Sequence, residues 1–285
     1  MDGACTLVSP FSMSTTMVLP RLSTAEPFSM RKLVVCSPNL VAAVVGAGWT
    51  RKLALCRPGA ASWVVIAHDQ LKSLEDMVWF RGRLYALHGD YGRLLSVSIG
   101  EDRDTGEPTL SRVDILIEGS GWDFAGSPLQ YLLESDGALL MVRREDPNMQ
   151  DLFIGEDFGC YVGLGLERAT RFKVFQADMV RSRWMELSSV GEDRVLFVQG
   201  WCSRAVRVPD RCKDHVTGDR IFFVNDAAAR GYNCLYYRKN VSFYCSVYDM
   251  RKRRSHMYLG TKVRPLKGFP VAWLFRGSEP GCMNN

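Results

Sequence analysis

The chain has 285 residues, 47% hydrophobic and 24% charged, a globular balance that excludes a disordered or fibrous protein. Its formal net charge is only +5, and the arginines and lysines are scattered rather than gathered in a stripe, so nucleic acid is not an expected partner. The length accommodates one large all-β domain or two smaller ones.

Residues 1–20 have neither a basic start nor a sustained apolar core, so they do not read as a signal peptide. Residues 33–49 are apolar but interrupted by Ser37, Pro38 and Asn39, too short and too broken for a membrane span. No membrane partner is therefore expected. The nine cysteines include no CxxC pair. Their odd number and wide spacing suggest reduced thiols in a cytoplasmic or nuclear protein. The sequon Asn240-Val241-Ser242 carries little weight in that setting.

In chain order, short apolar runs predict strands at 33–36, 40–45, 53–57 and 63–67. Residues 68–77 leave room for one or two helical turns, and no other stretch keeps a helical apolar period over three turns. A hairpin follows in GRLYALHGDYGRLLSVSI (82–99), with strands at 84–88 and 94–99 and a turn opened by Gly89. Further strands are predicted at 113–117, 131–134, 139–142 and 174–178. The chain then repeats itself. In DRVLFVQGWCSRAVRV (193–208), Arg194 matches Arg83, Gly200 matches Gly89, Arg204 matches Arg93 and Val208 matches Val97. The match extends upstream, where Leu53 and Trp63 share the spacing of Val174 and Trp184.

The last predicted strands are 184–188, 195–199, 205–208, 221–224, 246–249, one starting near Met257, and 272–275. The run 139–142 is expected to pair with 173–175, and 221–224 with 246–249. Roughly twenty strands in units of four correspond to about five blades of a β-propeller. A β-sandwich is the rival, but equivalent tryptophan positions favour blades in equivalent surroundings. Trp63 and Trp184 are expected to pack between neighbouring blades. Residues 1–30 are expected to form an N-terminal segment, irregular or a partial first blade. Residues 31–277 would be the propeller and 278–285 a tail.

Chemistry is thinly signalled. His68, His88, His215 and His256 are far apart, and Cys212-x-x-His215 lacks the second pair that a zinc site needs. Gly159, Gly163 and Gly165 do not spell a dinucleotide loop, and no phosphate loop or nucleophile elbow is present. No catalytic residue, metal ligand or cofactor is expected. The carboxylate pairs Glu101-Asp102 and Glu156-Asp157 read as solvated turns. The run Arg251-Lys252-Arg253-Arg254 reads as a basic hairpin tip, with a nuclear-import patch as the alternative. The long connections 145–171 and 227–244 are candidate binding loops. Tyr232, Tyr236, Tyr237 and Arg238 are the candidate partner anchors, because aromatic and arginine side chains carry binding energy disproportionately. The alternative is that these side chains fill a blade.

Several stretches together resemble a known family, including LALCRPGAASW (53–63), YLLESDGALLMVRR (131–144), RWMELSSVGEDRVLFVQG (183–200), SRAVRVPD (203–210) and DRIFFVND (219–226). The chain resembles the plant KIB-type β-propeller domain, a domain of unknown function often found behind an F-box. The early SPFSMSTTMVLPRLST (9–24) is similar to that family's degenerate "NP-T-G…LP-L" segment. The resemblance implies an all-β propeller that holds a protein partner, as the substrate-binding part of ubiquitin-ligase adaptors does. This sequence opens at the "NP…LP"-like stretch, with no leucine-rich F-box helices before it, so docking to the ligase scaffold is not expected of it. The rival expectation is an enzyme, a hydrolase or lyase, with its site in the central channel.

Overall fold

The computed structural model describes residues 5–8, 15–20, 29–47, 50–89, 92–119, 129–145, 170–210, 216–224 and 243–263. The first elements are a two-stranded hairpin, β1 (Cys5–Val8) and β2 (Thr15–Leu19). The next sheet is the meander β3 (Ser29–Ser37), β4 (Leu40–Ala47), β5 (Thr50–Cys56) and β6 (Val64–Val65). A second meander holds β7 (Leu74–Phe80), β8 (Arg83–His88), β9 (Arg93–Glu101) and β10 (Pro108–Ile117). A third holds β11 (Leu129–Ser135), β12 (Ala138–Glu145), β13 (Arg171–Asp178) and β14 (Arg183–Leu187). The fourth sheet has five strands: β15 (Arg194–Val198), β16 (Arg204–Arg207), β17 (Arg220–Val224), β18 (Phe243–Asp249) and β19 (Arg254–Val263). Their order is β16-β15-β17-β18-β19, with β15 and β17 parallel.

The central strands read as unbroken apolar runs because both of their faces are buried. Along β4, Val41, Ala43 and Val45 pack towards the β1–β2 hairpin, while Ala42 and Val44 pack towards the second sheet. In β12, Leu139 and Met141 face the second sheet, while Leu140 and Val142 face the fourth. Each of the three four-stranded sheets thus shares one apolar layer with its predecessor and another with its successor. Such a stack, turned about an axis, is a propeller and not a two-layer sandwich.

Among the described residues, four blade-like sheets stand where about five were expected. The estimate divided the strands evenly by four, but the fourth sheet takes five and the β1–β2 hairpin only two. The repeat also has a different meaning from the one expected. Its first copy comprises β5, β6, β8 and β9, and its second comprises β13 to β16, so each copy straddles two sheets. The two hairpins do not occupy equivalent places. β8–β9 lies inside its sheet, whereas β16 is the edge of its own. The pairing expectations hold: Val142 faces Val174, and Ile221 faces Tyr248. Residues 68–77 contain a single 3-10 turn, Asp69–Leu71, capped by His68, whose Nδ1 accepts from the Gln70 amide at 3.3 Å. The predicted strand at 272–275 lies outside the described residues.

The two tryptophans do sit in matching places. Trp63 immediately precedes β6 and donates its indole N–H to the Pro20 carbonyl at 2.9 Å, just beyond β2. Trp184 on β14 donates to the Gly92 carbonyl at 2.7 Å, at the start of β9. Each therefore bridges from an outer strand to the preceding unit. Trp63→Phe and Trp184→Phe each remove one such bond while keeping most of the apolar bulk. We expect similar losses of about 1 kcal/mol from the two in urea unfolding. A large inequality would show that the two surroundings are not equivalent.

Candidate functional site: the axis and the two faces

The edge strands β3, β7, β11 and β16 succeed one another in contact and form the inner side of the assembly. Asp76 on β7 is the polar centre there, with its side chain 2% exposed. The Lys32 ammonium, from β3, lies 2.8 Å from its Oδ1. The Met77 amide donates to the same oxygen at 2.7 Å, and the Leu132 amide of β11 donates to Oδ2 at 2.8 Å. One carboxylate thus ties three sheets together. Burial pushes the Asp76 carboxyl up from its ordinary range, against the pull of the Lys32 charge and the two amides. Beside it, Arg51 of β5 reaches Glu75 at 2.6 Å and donates to the Leu74 carbonyl at 3.1 Å. The Cys202 thiol, just before β16, is near enough to feel the charges of both Lys32 and Asp76, although its own burial dominates and raises its pKa. No sequence motif marks this cluster, because Glu75-Asp76 within LEDMVWF does not resemble an inner strand.

A second polar hub ties the third sheet to the fourth. Asp219 opens β17 in a left-handed conformation, with φ of 57°. Its Oδ1 accepts from the Ser189 hydroxyl at 2.6 Å and from the amides of Val190 and Gly191 at 2.8 and 3.2 Å. Its Oδ2 accepts from Arg251 Nε at 2.8 Å. Burial alone would raise this carboxyl, but the hydroxyl, the guanidinium and the two amides outweigh it and hold it below the usual carboxylate range. The run 251–254 is the tip of the β18–β19 hairpin, as expected, since Asp249 pairs with Arg254.

The ends of the strands define two faces. On one, Arg81 of the β7–β8 turn donates to the Gly137 carbonyl of the β11–β12 turn at 3.0 Å. Arg194 at the start of β15 pairs with Asp136 of that same turn. On the other face, Arg144 near the end of β12 donates to the Val224 carbonyl at the end of β17 at 3.4 Å and covers the Phe223 ring. Both long connections leave from this second face. Glu145 pairs with Arg171 across the root of one, and Val224 pairs with Cys245 near the root of the other. Tyr232, Tyr236, Tyr237 and Arg238 lie outside the described residues, as do Cys212 and His215. The loop from β15 to β16 belongs to the second face too, and its Trp201 is 36% exposed.

Among the described residues, no group of three or more His, Cys, Asp or Glu side chains is placed to hold a metal ion. Among them too, no helix is long and apolar enough to cross a membrane. Among the described thiols, Cys36 and Cys56 are buried and Cys202 and Cys245 partly so. Burial pushes Cys36 up to about 12 and Cys245 up to about 11. We expect Cys36 to resist aromatic disulfide reagents at about pH 8 until the chain is unfolded in denaturant. Rapid labelling of Cys36 in the folded protein, read by peptide mass, would contradict its placement.

Successive four- and five-stranded sheets about an axis, packed face to face, make this protein a β-propeller. The sequence matches the KIB1-4 beta-propeller family over residues 1–249, and the chain belongs to that family. No curated protein matches the chain. Among solved structures it is similar to the tricorn protease at 10% identity, with a TM-score of 0.23. That match covers 83% of this chain and 27% of the protease chain.

Proposed function

We propose that the chain is a non-enzymatic protein-interaction module, and that it holds its partner on the face from which the long connections leave. The observation that carries this reading is the rooting of both connections on adjacent sheets at one face, tied by Arg144 and Val224. Loops on a rigid β scaffold are where binding residues concentrate. The partner role resembles that of the substrate-holding propellers of plant F-box ubiquitin-ligase adaptors, and a cytoplasmic or nuclear location suits the reduced thiols of Cys36, Cys202 and Cys245. Against a hydrolase or lyase at the axis stands the engagement of Asp76. Its oxygens already accept from three donors, so it is poorly placed to act as a general base.

A photo-crosslinking amino acid placed at Trp201 tests the reading against the same residue at Val180, which is 94% exposed on the β13–β14 turn of the opposite face. We expect discrete protein adducts from position 201 in plant extract and none specific to position 180. Adducts confined to position 180, or none at either position, would refute it.

A further inference from the structure

The side of the fourth sheet that is turned away from the third brings together Arg220, Arg254 and His256. Along β17, Ile221 and Phe223 pack towards the third sheet and Phe222 packs away from it, so strand alternation turns Arg220 away as well. On β18, Tyr248 packs towards the third sheet and Val247 away from it, which puts Asp249 on the far side too. On β19, Ser255 donates to the Thr170 carbonyl at 2.7 Å, so its neighbours Arg254 and His256 take the far side. Register sets these residues side by side. Arg220 faces Asp249 and Asp249 faces Arg254, in one rank across three strands, while His256 stands in the next rank opposite Val247. Two strand spacings separate the arginine backbones by about 10 Å, a gap that two extended guanidiniums can close on one small anion. Arg254 and His256 are exposed and Arg220 is half-buried, so the place is open to solvent.

The other cations of the β18–β19 tip already have partners. Arg251 holds Asp219 and Glu192. Lys252 lies 3.9 Å from Asp249 Oδ2, and its amide donates to Asp249 Oδ1 at 3.0 Å. Arg220 and Arg254, by contrast, make no ion pair among the described residues, and Arg220 Nε is buried without an acceptor. A buried donor left in that state is costly, and an anion within reach would relieve it. Partial burial, and then the charges of Arg220 and Arg254, hold the His256 imidazole below its ordinary pKa. Asp249 offsets this only in part, and Lys252 adds to it. We propose that Arg220, Arg254 and His256 form a site for a phosphate-type dianion, with guanidinium donors on its oxygens and the imidazole ring as a third donor. Free phosphate and a phosphorylated side chain share this chemistry. The site lies at the hairpin-tip end of the fourth sheet and is independent of a partner on the loop-bearing face.

The test uses the whole chain and follows the His256 ring by NMR, assigned through His256→Gln, during titration with inorganic phosphate at constant ionic strength. Saturating phosphate is expected to raise the His256 titration midpoint by about one pH unit, and chloride is expected to leave it in place. Binding then draws a proton onto the imidazole. Sulfate, whose charge is constant in this range, should therefore bind tighter at about pH 6 than at about pH 8, and His256→Gln should abolish that dependence. Arg254→Ala and Arg220→Ala should each weaken binding about tenfold, and Asp249→Asn should tighten it by removing the one carboxylate in the rank. Arg254 is exposed, so its substitution should leave the unfolding midpoint unchanged even if Arg220→Ala lowers it. Arg181→Ala, on the β13–β14 turn, should bind as the native chain does. A phosphoserine peptide and its unphosphorylated twin separate the sources. Binding of the phosphopeptide tighter than phosphate itself assigns the site to a phosphorylated side chain, and equal binding assigns it to the free anion. A His256 midpoint that phosphate does not move, or that moves equally in Arg254→Ala, overturns the proposal.

Discussion

Asp76→Ala is expected to destabilise the protein by about 3–5 kcal/mol, because it strands a buried ammonium and removes the acceptor of two buried amides. Lys32 is held at the axis with its side chain 8% exposed, so its charge has little water to turn to once the carboxylate is gone. The substitution also cuts the link from β7 to the Leu132 amide of β11, which loosens two sheet contacts at once. Lys32→Met alone should cost a similar amount, since it leaves the carboxylate buried without its counter-ion. The double variant Lys32→Met, Asp76→Leu should recover much of the loss, as buried pairs replaced by apolar groups of similar size often do. Urea unfolding of the native chain, Lys32→Met, Asp76→Leu and the double variant completes the cycle. Additive losses, or a change of under about 1 kcal/mol in Asp76→Ala, would mean that the axis is not held by this pair.

Asp219→Ala should cost about 3 kcal/mol, and its effect should depend on pH. The carboxylate accepts one hydroxyl, two amides and a guanidinium, and none of these finds a replacement acceptor in alanine. Its folded pKa lies below the unfolded value of about 3.9. A depressed carboxyl stabilises fully above the unfolded value, and that contribution fades as pH falls through the folded one. The stability gap between the native chain and Asp219→Asn should therefore be widest near neutrality and narrow below about pH 4. A gap that is constant with pH, or that widens in acid, would show that the carboxylate is not held in its charged form. The preceding glycine offers an independent check on the same hub. A Cβ on Gly218 would lie 2.3 Å from the Glu192 backbone, so Gly218→Ala must shift the main chain.

Much of the strand content was legible because two-sided burial writes apolar runs that need no knowledge of neighbours. The runs in LVAAVVGA and ALLMVRRE mark central strands that give alternate side chains to two different layers. The Asp136-Gly137 pair likewise marks a tight hairpin turn, with φ of 49° and 75°, values that suit few other pairs. β7 escaped notice for the opposite reason. Its first residues fall in 68–77, where helical turns are expected, and the cations of Glu75 and Asp76, Arg51 and Lys32, lie on another sheet, far off in the chain. The binding anchors expected at Tyr232, Tyr236, Tyr237 and Arg238 remain outside the described residues. The exposed Trp201 was passed over because it stands inside the repeated hairpin.

The sequence by itself determined that this is an all-β chain of short strands, where most strands run, and which tight turns join them, since those follow from local periodicity and backbone preference. Tertiary structure alone decided how the strands divide among sheets, that β15 lies parallel to β17, and that Asp76 ties the first three sheets together at the axis. It also decided that both long connections leave by one face. These outcomes depend on which distant segments meet, and a strand carries no local mark of its partner across the sheet.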